Sequence, residues 1–274
     1  MTMGRWWTGM VLALGMLANA HATQVQRDVA YGTDPAQRMD VYLPANAHGV
    51  PVIVMVHGGA WMFGDKSNRS VVEPKATHYN DAGIAFVSVD YRMLPKAAPM
   101  AQAEDVADAL AYVQKHAAAW GVDPARVVLM GHSAGAHLVA LLSAAPSIAT
   151  SRGAQRWLGT VSLDSGAIDV PGIMNGPHAG FYDRVFGADP AQWTPVSPID
   201  RLGRDAVPIL LVCSSQRMES CPHNRRYAAK AQAMGVRASV LPEPLTHAQI
   251  NATLGEAGGY TASVDDFLRS LGLP

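Results

Sequence analysis

The chain has 274 residues, of which 49% are hydrophobic and 16% are charged, and its formal net charge is -1. This length and composition suffice for one α/β domain with a large core, and they exclude an intrinsically disordered chain. The near-zero net charge and the lack of a long basic run argue against nucleic acid as a partner.

The first 22 residues have the three parts of a secretory signal peptide. Arg5 supplies a positive start, residues 6–18 are almost wholly apolar, and small residues at alternate positions then provide cleavage sites. The apolar run is shorter than the roughly 20 residues that a membrane-spanning helix needs. We therefore expect cleavage near His21 or Thr23, a secreted or periplasmic protein, and no stable membrane insertion after cleavage.

The rest of the chain alternates between predicted strands and helices. Strands are predicted at residues 25–30 and 39–43, as an edge hairpin, and at residues 52–56, 84–89, 126–130, 158–163, 209–212 and 237–241. Helices are predicted at residues 70–82, 101–120, 136–145, 224–234 and 265–271. This order predicts an α/β fold with a doubly wound, mostly parallel sheet, helices on both faces, and ligands at the carboxyl ends of the strands.

Residues 168–208 interrupt this alternation. The segment is rich in proline and glycine, and it carries the aromatic residues Phe181, Tyr182, Phe186 and Trp193. A loop of this length inside a compact domain usually has a function. We expect a small cap over the ligand site, inserted in a single domain that spans residues 23–274. A satellite cluster remote from the site is the alternative.

The motif that organises the chain is GHSAG at residues 131–135. A buried strand precedes it and a helix follows it, which is the context of a nucleophile elbow, a tight turn that lifts a serine hydroxyl above the strand ends. Ser133 is therefore the candidate nucleophile, and an idle serine in a glycine-rich turn is the alternative. The flanking His132 and His137 are expected to be packing residues.

A serine nucleophile needs a base and a carboxylate, and after an elbow of this kind they follow in the order serine, acid, histidine. His247 follows the strand predicted at residues 237–241, and it is the predicted general base. Glu219 is the only carboxylate in the loop after the strand at residues 209–212, and it is the predicted acid. Asp164 and, less favourably, Asp169 follow the preceding strand and are the alternatives.

The reaction also needs hydrogen-bond donors for a developing oxyanion. The sequence HGGAW at residues 57–61 directly follows a predicted strand, and its glycines allow backbone N–H groups to be presented without side-chain obstruction. We predict that Gly59, Ala60 and Ala134 supply these donors, with Gly58 as the alternative. The histidine of this run is expected to hold the loop in place.

Cys213 and Cys221 are the two cysteines of the chain. Their even number, their short spacing and the predicted export favour one disulfide bond. The sequence contains no Cys-x-x-Cys motif and no His-Glu-x-x-His motif. We therefore expect neither a metal site nor a cofactor.

Three motifs together resemble the α/β-hydrolase superfamily. They are HGGAWMFGDK at residues 57–66, DYRMLP at residues 90–95 and GHSAGAHL at residues 131–138. The resemblance covers the chain from about residue 39 onward and is closest to the HGG-type carboxylesterases. That branch includes hormone-sensitive-lipase-like and kynurenine-formamidase-like enzymes and some feruloyl or acetylxylan esterases. The chain departs from the HGGG form at Ala60, and the usual place of the acid is not occupied by an aspartate.

The resemblance implies a serine hydrolase that cleaves small or aromatic carboxylic esters through an acyl-enzyme. Trp61, Phe63, Phe181 and Tyr182 are predicted to line its acyl or aryl pocket. Amide hydrolysis by the same residues is one alternative, and a non-catalytic binding protein on a hydrolase scaffold is another. The expected partner is a small-molecule ester, and the sequence does not define the oligomeric state.

Overall fold

The structure is a computed structural model that describes residues 24–274. The predicted signal peptide and its cleavage sites lie outside the described residues. Among the helices of residues 24–274, none combines the length and the apolar character that crossing a bilayer requires.

Within residues 24–274, eight strands form a single sheet in the order β1-β2-β4-β3-β5-β6-β7-β8. The β1–β2 and β2–β4 pairs are antiparallel, and the other neighbours are parallel. The strands are β1 (Gln24–Ala30), β2 (Arg38–Leu43), β3 (Val50–Val56), β4 (Ala85–Val89), β5 (Val122–His132), β6 (Gly159–Leu163), β7 (Ile209–Ser214) and β8 (Ala238–Glu243). The predicted edge hairpin and the mostly parallel sheet are confirmed.

Helices cover both faces of this sheet. They are α1 (Arg69–Val72), α2 (Lys75–Asp81), α3 (Pro99–His116), α4 (Ala134–Ala144), α5 (Ser147–Thr150), α6 (Val170–Met174), α7 (Phe181–Phe186), α8 (Pro198–Arg201), α9 (Ser220–Ala233), α10 (His247–Ala252) and α11 (Gly259–Arg269). Strand β3 shows the two-sided core, because its residues at 52, 54 and 56 belong to one apolar cluster and those at 53 and 55 to another. Such continuous burial explains its unbroken apolar sequence.

The structure differs from the predicted helices at proline and at helix ends. The single helix predicted at residues 70–82 is two short helices, α1 and α2, with Pro74 capping the second. Proline lacks the N–H that an interior helical position donates, so the first helix ends before it. Helix α3 begins earlier than predicted and passes into a 3-10 turn at Ala117–Trp120, after which Gly121 ends it with a left-handed φ of 65°.

Candidate active site

Ser133 lies in the turn between β5 and α4 with φ 57° and ψ -114°. A non-glycine residue in this region is strained by about 1–3 kcal/mol, and such strain is concentrated at functional sites. The turn leaves no room beside the serine, since a Cβ on Gly131 would lie 2.4 Å from the carbonyl oxygen of Gly135. Gly131 is thus required by its contact with Gly135, and Gly135 is required by the end of β3, since a Cβ there would lie 2.2 Å from the Val56 carbonyl oxygen.

The loop that follows β3 turns sharply beside this serine. Residues 59–61 have consecutive left-handed φ values of 127°, 51° and 59°. The amides of Met62 and Phe63 close the turn by donating to the Gly59 carbonyl oxygen at 3.0 and 2.9 Å. The backbone conformation at positions 59–61 is therefore fixed by the loop itself.

Two amides of this loop are available to a ligand. Within the described part of the chain, neither the Gly59 nor the Ala60 amide donates to a protein acceptor. The loop packs directly against the elbow, because a Cβ on Gly58 would lie 2.8 Å from the Cβ of Ser133. Ala134, the third predicted donor, is the first residue of α4. Donors from two segments therefore adjoin the serine.

His247 is the first residue of α10, and its ring is 38% exposed. Thr246 and Gln249 form a capping box that fixes the start of this helix. His132 donates from Nε2 to the backbone carbonyl oxygen of His247 at 3.0 Å, and the two rings lie 4.5 Å apart between centroids. Burial, reinforced by the neighbouring His247, lowers the pKa of His132 to about 3, so His132 is a neutral donor at physiological pH.

Asp164 directly follows β6 and is fully buried, and its Oδ2 accepts a hydrogen bond from Nδ1 of His247 at 2.6 Å. It also accepts from the Ser214 amide at 2.8 Å, from the Ser220 hydroxyl, and from Nη1 of Arg217 at 2.9 Å. Burial alone would raise the pKa of this carboxyl, but the His247 hydrogen bond and the Arg217 charge outweigh it and hold the pKa well below its ordinary value. Asp164 is therefore an ionised carboxylate.

Glu219, the predicted acid, does not reach His247. Its Oε1 accepts from Nη2 of Arg217 at 2.6 Å, while Nη1 of the same guanidinium lies 3.0 Å from Nδ1 of His247. The guanidinium thus separates the two, and Asp164 occupies the position expected of Glu219. Asp169, the less favoured alternative, is engaged elsewhere, where it caps α6 and pairs with Arg226 at 2.7 Å.

The predicted disulfide between Cys213 and Cys221 is confirmed, with an Sγ–Sγ distance of 2.05 Å. It closes the segment 214–220, which we call the stapled loop. Three of the donors to Asp164 come from this loop, namely the Ser214 amide, the Arg217 guanidinium and the Ser220 hydroxyl. The disulfide therefore closes the segment that holds the carboxylate.

These groups surround a cavity of about 550 Å³. It is lined by Gly59, Ala60, Trp61, Phe63, His132, Ser133, Asp164, Ser165, Gly166, Phe181, Tyr182, Arg217 and His247. All four aromatic residues predicted for the pocket are among them, and Phe181 and Tyr182 come from the 168–208 segment. Among residues 24–274, no group of three or more His, Cys, Asp or Glu side chains is arranged to hold a metal ion.

His137 connects the cavity wall to the 168–208 segment. Its Nδ1 accepts from the indole of Trp61 at 3.1 Å, so Nε2 carries the hydrogen and donates to the Val196 carbonyl oxygen at 2.7 Å. Burial lowers the pKa of His137 to about 4, which keeps the ring neutral in this role. The hydrogen bonds of His132 and His137 and the position of Arg217 in the cavity wall were not predicted from the sequence. For the histidines, the available signal was their position on either side of Ser133.

The sequence is similar to one family model and to several known enzymes. Residues 39–155 match the family model described as BD-FAE. The chain is 37% identical over 136 residues to an isoprenylcysteine alpha-carbonyl methylesterase of Arabidopsis thaliana, covering 48% of this chain and 31% of that protein. It is 32% identical over 122 residues to the kynurenine formamidase of Danio rerio, covering 44% of this chain and 39% of that protein. The chain spans between 24% and 40% of the length of the plant methylesterases that it matches.

The backbone superimposes on a solved structure described as a truncated form of a carbohydrate esterase from gut microbiota. The TM-score is 0.79 at 19% sequence identity, and the match covers 93% of this chain and 98% of that chain. The described part of the chain therefore has the α/β-hydrolase fold.

Proposed function

We propose that this protein is a serine carboxylesterase for small or aromatic esters, with Ser133 as nucleophile, His247 as general base and Asp164 as the carboxylate that orients the base. The proposal rests on one observation. The strained serine, the histidine–carboxylate pair and the amides of Gly59 and Ala60 face the same cavity. The names of the plant relatives and of the matching solved structure, which are esterases, agree with it.

The first half of the reaction forms an acyl-enzyme. Ser133 Oγ attacks the ester carbonyl carbon while its proton passes to Nε2 of His247, and the carbonyl π electrons move to the oxygen. The amides of Gly59, Ala60 and Ala134 bind this oxyanion. The carbon–oxygen bond to the alcohol then breaks, and the alcohol leaves with the proton from His247.

The second half repeats these steps with water. A water molecule gives its proton to His247 and attacks the acyl carbon, and Ser133 leaves as the alcohol after taking the proton back. The carboxylic acid is released and the enzyme is regenerated. No step requires a cofactor, and the rate falls at acid pH because the base must be neutral to accept a proton.

The cavity supports a substrate of modest size. A volume of about 550 Å³ lies within the usual range for small-molecule sites. Trp61, Phe63, Phe181 and Tyr182 supply apolar walls for a short or aromatic acyl group. We propose that residues 168–208 act as a small cap, because two of these walls belong to that segment.

Export of the mature protein is part of the proposal. A disulfide bond is typical of oxidising compartments, and it agrees with the signal-like sequence of the first 22 residues. Expression with the full N-terminus followed by N-terminal sequencing of the exported protein tests this. A new terminus near His21 or Thr23 is expected, and an intact Met1 contradicts it.

The nucleophile is tested with a fluorophosphonate probe and p-nitrophenyl esters of increasing acyl length. We expect covalent labelling of the wild type and turnover that falls by at least about 10⁴-fold in Ser133→Ala. Ser151→Ala is the matched control, since Ser151 is an exposed serine that bonds only to its own turn. Labelling that persists in Ser133→Ala would show that another residue is the nucleophile.

Amide hydrolysis is the second candidate, and the similarity to a kynurenine formamidase favours it. The same nucleophile and donors cleave a formyl amide if His247 protonates the departing amine. Rates with N-formyl aryl amides, measured beside the ester panel, separate the two. A kcat/KM that is higher for the formyl amides than for every ester would assign the protein to amide hydrolysis.

A further inference from the structure

Arg217 is the charged residue of the cavity wall to which the proposed reaction assigns no role. Its guanidinium is 24% exposed and lies at the centre of the acid–base side of the site. Nη1 donates to Oδ2 of Asp164 at 2.9 Å and to the Asp164 carbonyl oxygen at 3.2 Å. Nη2 donates to Glu219 at 2.6 Å. The same Nη1 lies 3.0 Å from Nδ1 of His247.

The last of these contacts is not a hydrogen bond in the reactive state. An arginine nitrogen is a donor only. Nδ1 of His247 faces a carboxylate oxygen at 2.6 Å, so it carries a hydrogen and is also a donor. Two N–H groups therefore converge on one oxygen of Asp164. The positive charge of Arg217 is thus held beside the imidazole of His247, at the same Nδ1 edge of the ring that binds Asp164.

We propose that Arg217 is a positioning residue for acyl transfer, holding Asp164 against His247 and offsetting the negative charge that this carboxylate places beside the His247 ring. The inference rests on the proposed function, because it assumes that His247 acts as a base. Asp164 alone would place a full negative charge beside the His247 ring. The guanidinium offsets part of that charge while it fixes the carboxylate.

The surroundings hold the guanidinium in one orientation. Glu219 binds Nη2 while Asp164 binds Nη1, so the planar fork bridges two carboxylates. The Cys213–Cys221 bond closes the stapled loop around this pair of contacts. A lysine has a single nitrogen on a flexible stem and does not reproduce such a fork. Substitution of Arg217 by lysine or by methionine can therefore separate the effect of its charge from the effect of its geometry.

Other titratable groups packed around this cluster also contribute to its pH response. His132 lies against the His247 ring, and the charges of Arg217, Glu219 and Asp164 act on Tyr182. The charge of Lys75 acts on His132, that of Glu219 acts on His223, and those of Asp164 and Glu243 act on Tyr260. A test of Arg217 must therefore leave all of them in place.

The experiment compares Arg217→Met and Arg217→Lys with the wild type. Methionine keeps an apolar stem without the charge, and Met218→Ala is the control, since Met218 is the exposed neighbour in the same loop. We measure kcat and KM for p-nitrophenyl acetate from pH 5 to pH 9, together with the rate of fluorophosphonate labelling. Thermal unfolding of each variant identifies any that fail to fold.

For Arg217→Met we expect kcat to fall by about 10-fold or more, with KM within about twofold of the wild type. The acid limb of the kcat and labelling profiles should move to higher pH, because the charge of the carboxylate is no longer offset. Arg217→Lys should return the acid limb towards the wild-type position while kcat stays low. Met218→Ala should match the wild type.

Two outcomes overturn the inference in a folded Arg217→Met protein. One is a loss of kcat that is equal at every pH, which indicates a structural role, and the other is a change in KM alone, which indicates a substrate contact.

The labelling rate distinguishes failure of the Arg217 inference from failure of the proposed function. A wild type that labels at Ser133 but hydrolyses no ester disproves the substrate class and leaves Arg217 testable, whereas a wild type that does not label disproves both.

Discussion

Two regions of the site are built by different means. On the proposed nucleophile side, Ser133 and the amides proposed as oxyanion donors come from the turns that follow β3 and β5, which are neighbours in the sheet, and backbone geometry sets their positions. On the acid–base side, Asp164, the stapled loop and His247 come from the ends of β6, β7 and β8. Side-chain hydrogen bonds set their positions there.

Because the two regions are built differently, we expect them to respond differently to substitution. A backbone turn with no room for a side chain fails abruptly when one atom is added. A side-chain network in which Asp164 accepts from four groups can lose a partner and keep part of its geometry. The nucleophile side should therefore be intolerant of small additions, and the acid–base side should depend chiefly on its central carboxylate.

The largest effect is expected when the carboxylates of the acid–base side are exchanged for amides. In Asp164→Asn we expect kcat to fall by about 10³–10⁴-fold, because an amide neither fixes the His247 tautomer nor stabilises its charged form. In Glu219→Gln we expect a loss of less than about 10-fold, because Glu219 is 42% exposed and reaches the base only through Arg217. Steady-state kinetics with one p-nitrophenyl ester measures both.

A larger loss in Glu219→Gln than in Asp164→Asn would reverse the assignment of the acid. It would also restore the prediction made from sequence, and it would mean that the stapled loop rearranges when substrate binds. Equal losses would show that the two carboxylates act as one unit with Arg217.

The nucleophile side is tested by adding one carbon to its loop. A Cβ on Gly59 would lie 1.9 Å from the Phe63 carbonyl oxygen, at a φ of 127°. We expect Gly59→Ala to displace the amide donors and to lower kcat by about 10²-fold, the typical cost of one oxyanion donor. Gly49→Ala is the matched control, because Gly49 also has a positive φ but has no atom within 4 Å of a new Cβ.

Full activity in Gly59→Ala would contradict a rigid nucleophile side. The control should lose some stability and keep its kcat, since its strain lies outside the cavity. A similar fall in kcat for both variants would mean that general destabilisation, rather than the position of the amides, explains the effect.

The smallest expected effect concerns stability at acid pH. His137 has an ordinary pKa of 6.5 that burial lowers to about 4 in the folded protein. The unfolded chain therefore binds a proton between pH 6.5 and about 4 that the folded protein does not, and the free energy of unfolding decreases as pH falls through this window. His137→Gln cannot titrate, so its decrease from pH 7 to pH 4.5 should be smaller by about 2–3 kcal/mol.

Urea unfolding at the two pH values measures this difference. His132, whose pKa is also lowered, titrates in both proteins and so leaves a residual slope in the variant. Identical pH dependence in the two proteins would show that His137 opens to solvent and that the connection from Trp61 to Val196 does not persist in acid.

The sequence was sufficient to propose the parts of the site that local rules define. The elbow at residues 131–135 could be recognised because a strand, a turn and a helix must follow one another at fixed spacing. The glycine-containing sequence at residues 57–61 could be recognised because it directly follows a predicted strand. Chain order was enough to propose His247, which the structure places against Asp164. The disulfide followed from the number and spacing of cysteines, and the mostly parallel sheet followed from strands that alternate with helices along the chain.

The choice between Glu219 and Asp164 could not be made from the sequence. It depends on how the stapled loop directs Arg217, and that direction is set by contacts with residues about 30 and 50 positions away. The split between α1 and α2 was different, because Pro74 lies inside the helix predicted at residues 70–82 and is itself a signal against an unbroken helix. The choice of the acid depends on tertiary contacts, whereas the break in the helix could have been predicted from the sequence.

Ser133 and Asp164 share an unusual feature, in that both are non-glycine residues with a φ of 57°, at the ends of the adjacent strands β5 and β6. Each conformation is one that glycine would adopt at lower cost. Replacement of either residue by glycine should relieve the strain and remove the group that the proposed chemistry needs. Directed evolution that selects only for heat resistance should therefore enrich folded but inactive proteins, so any library of this chain must be screened for turnover and melting temperature together.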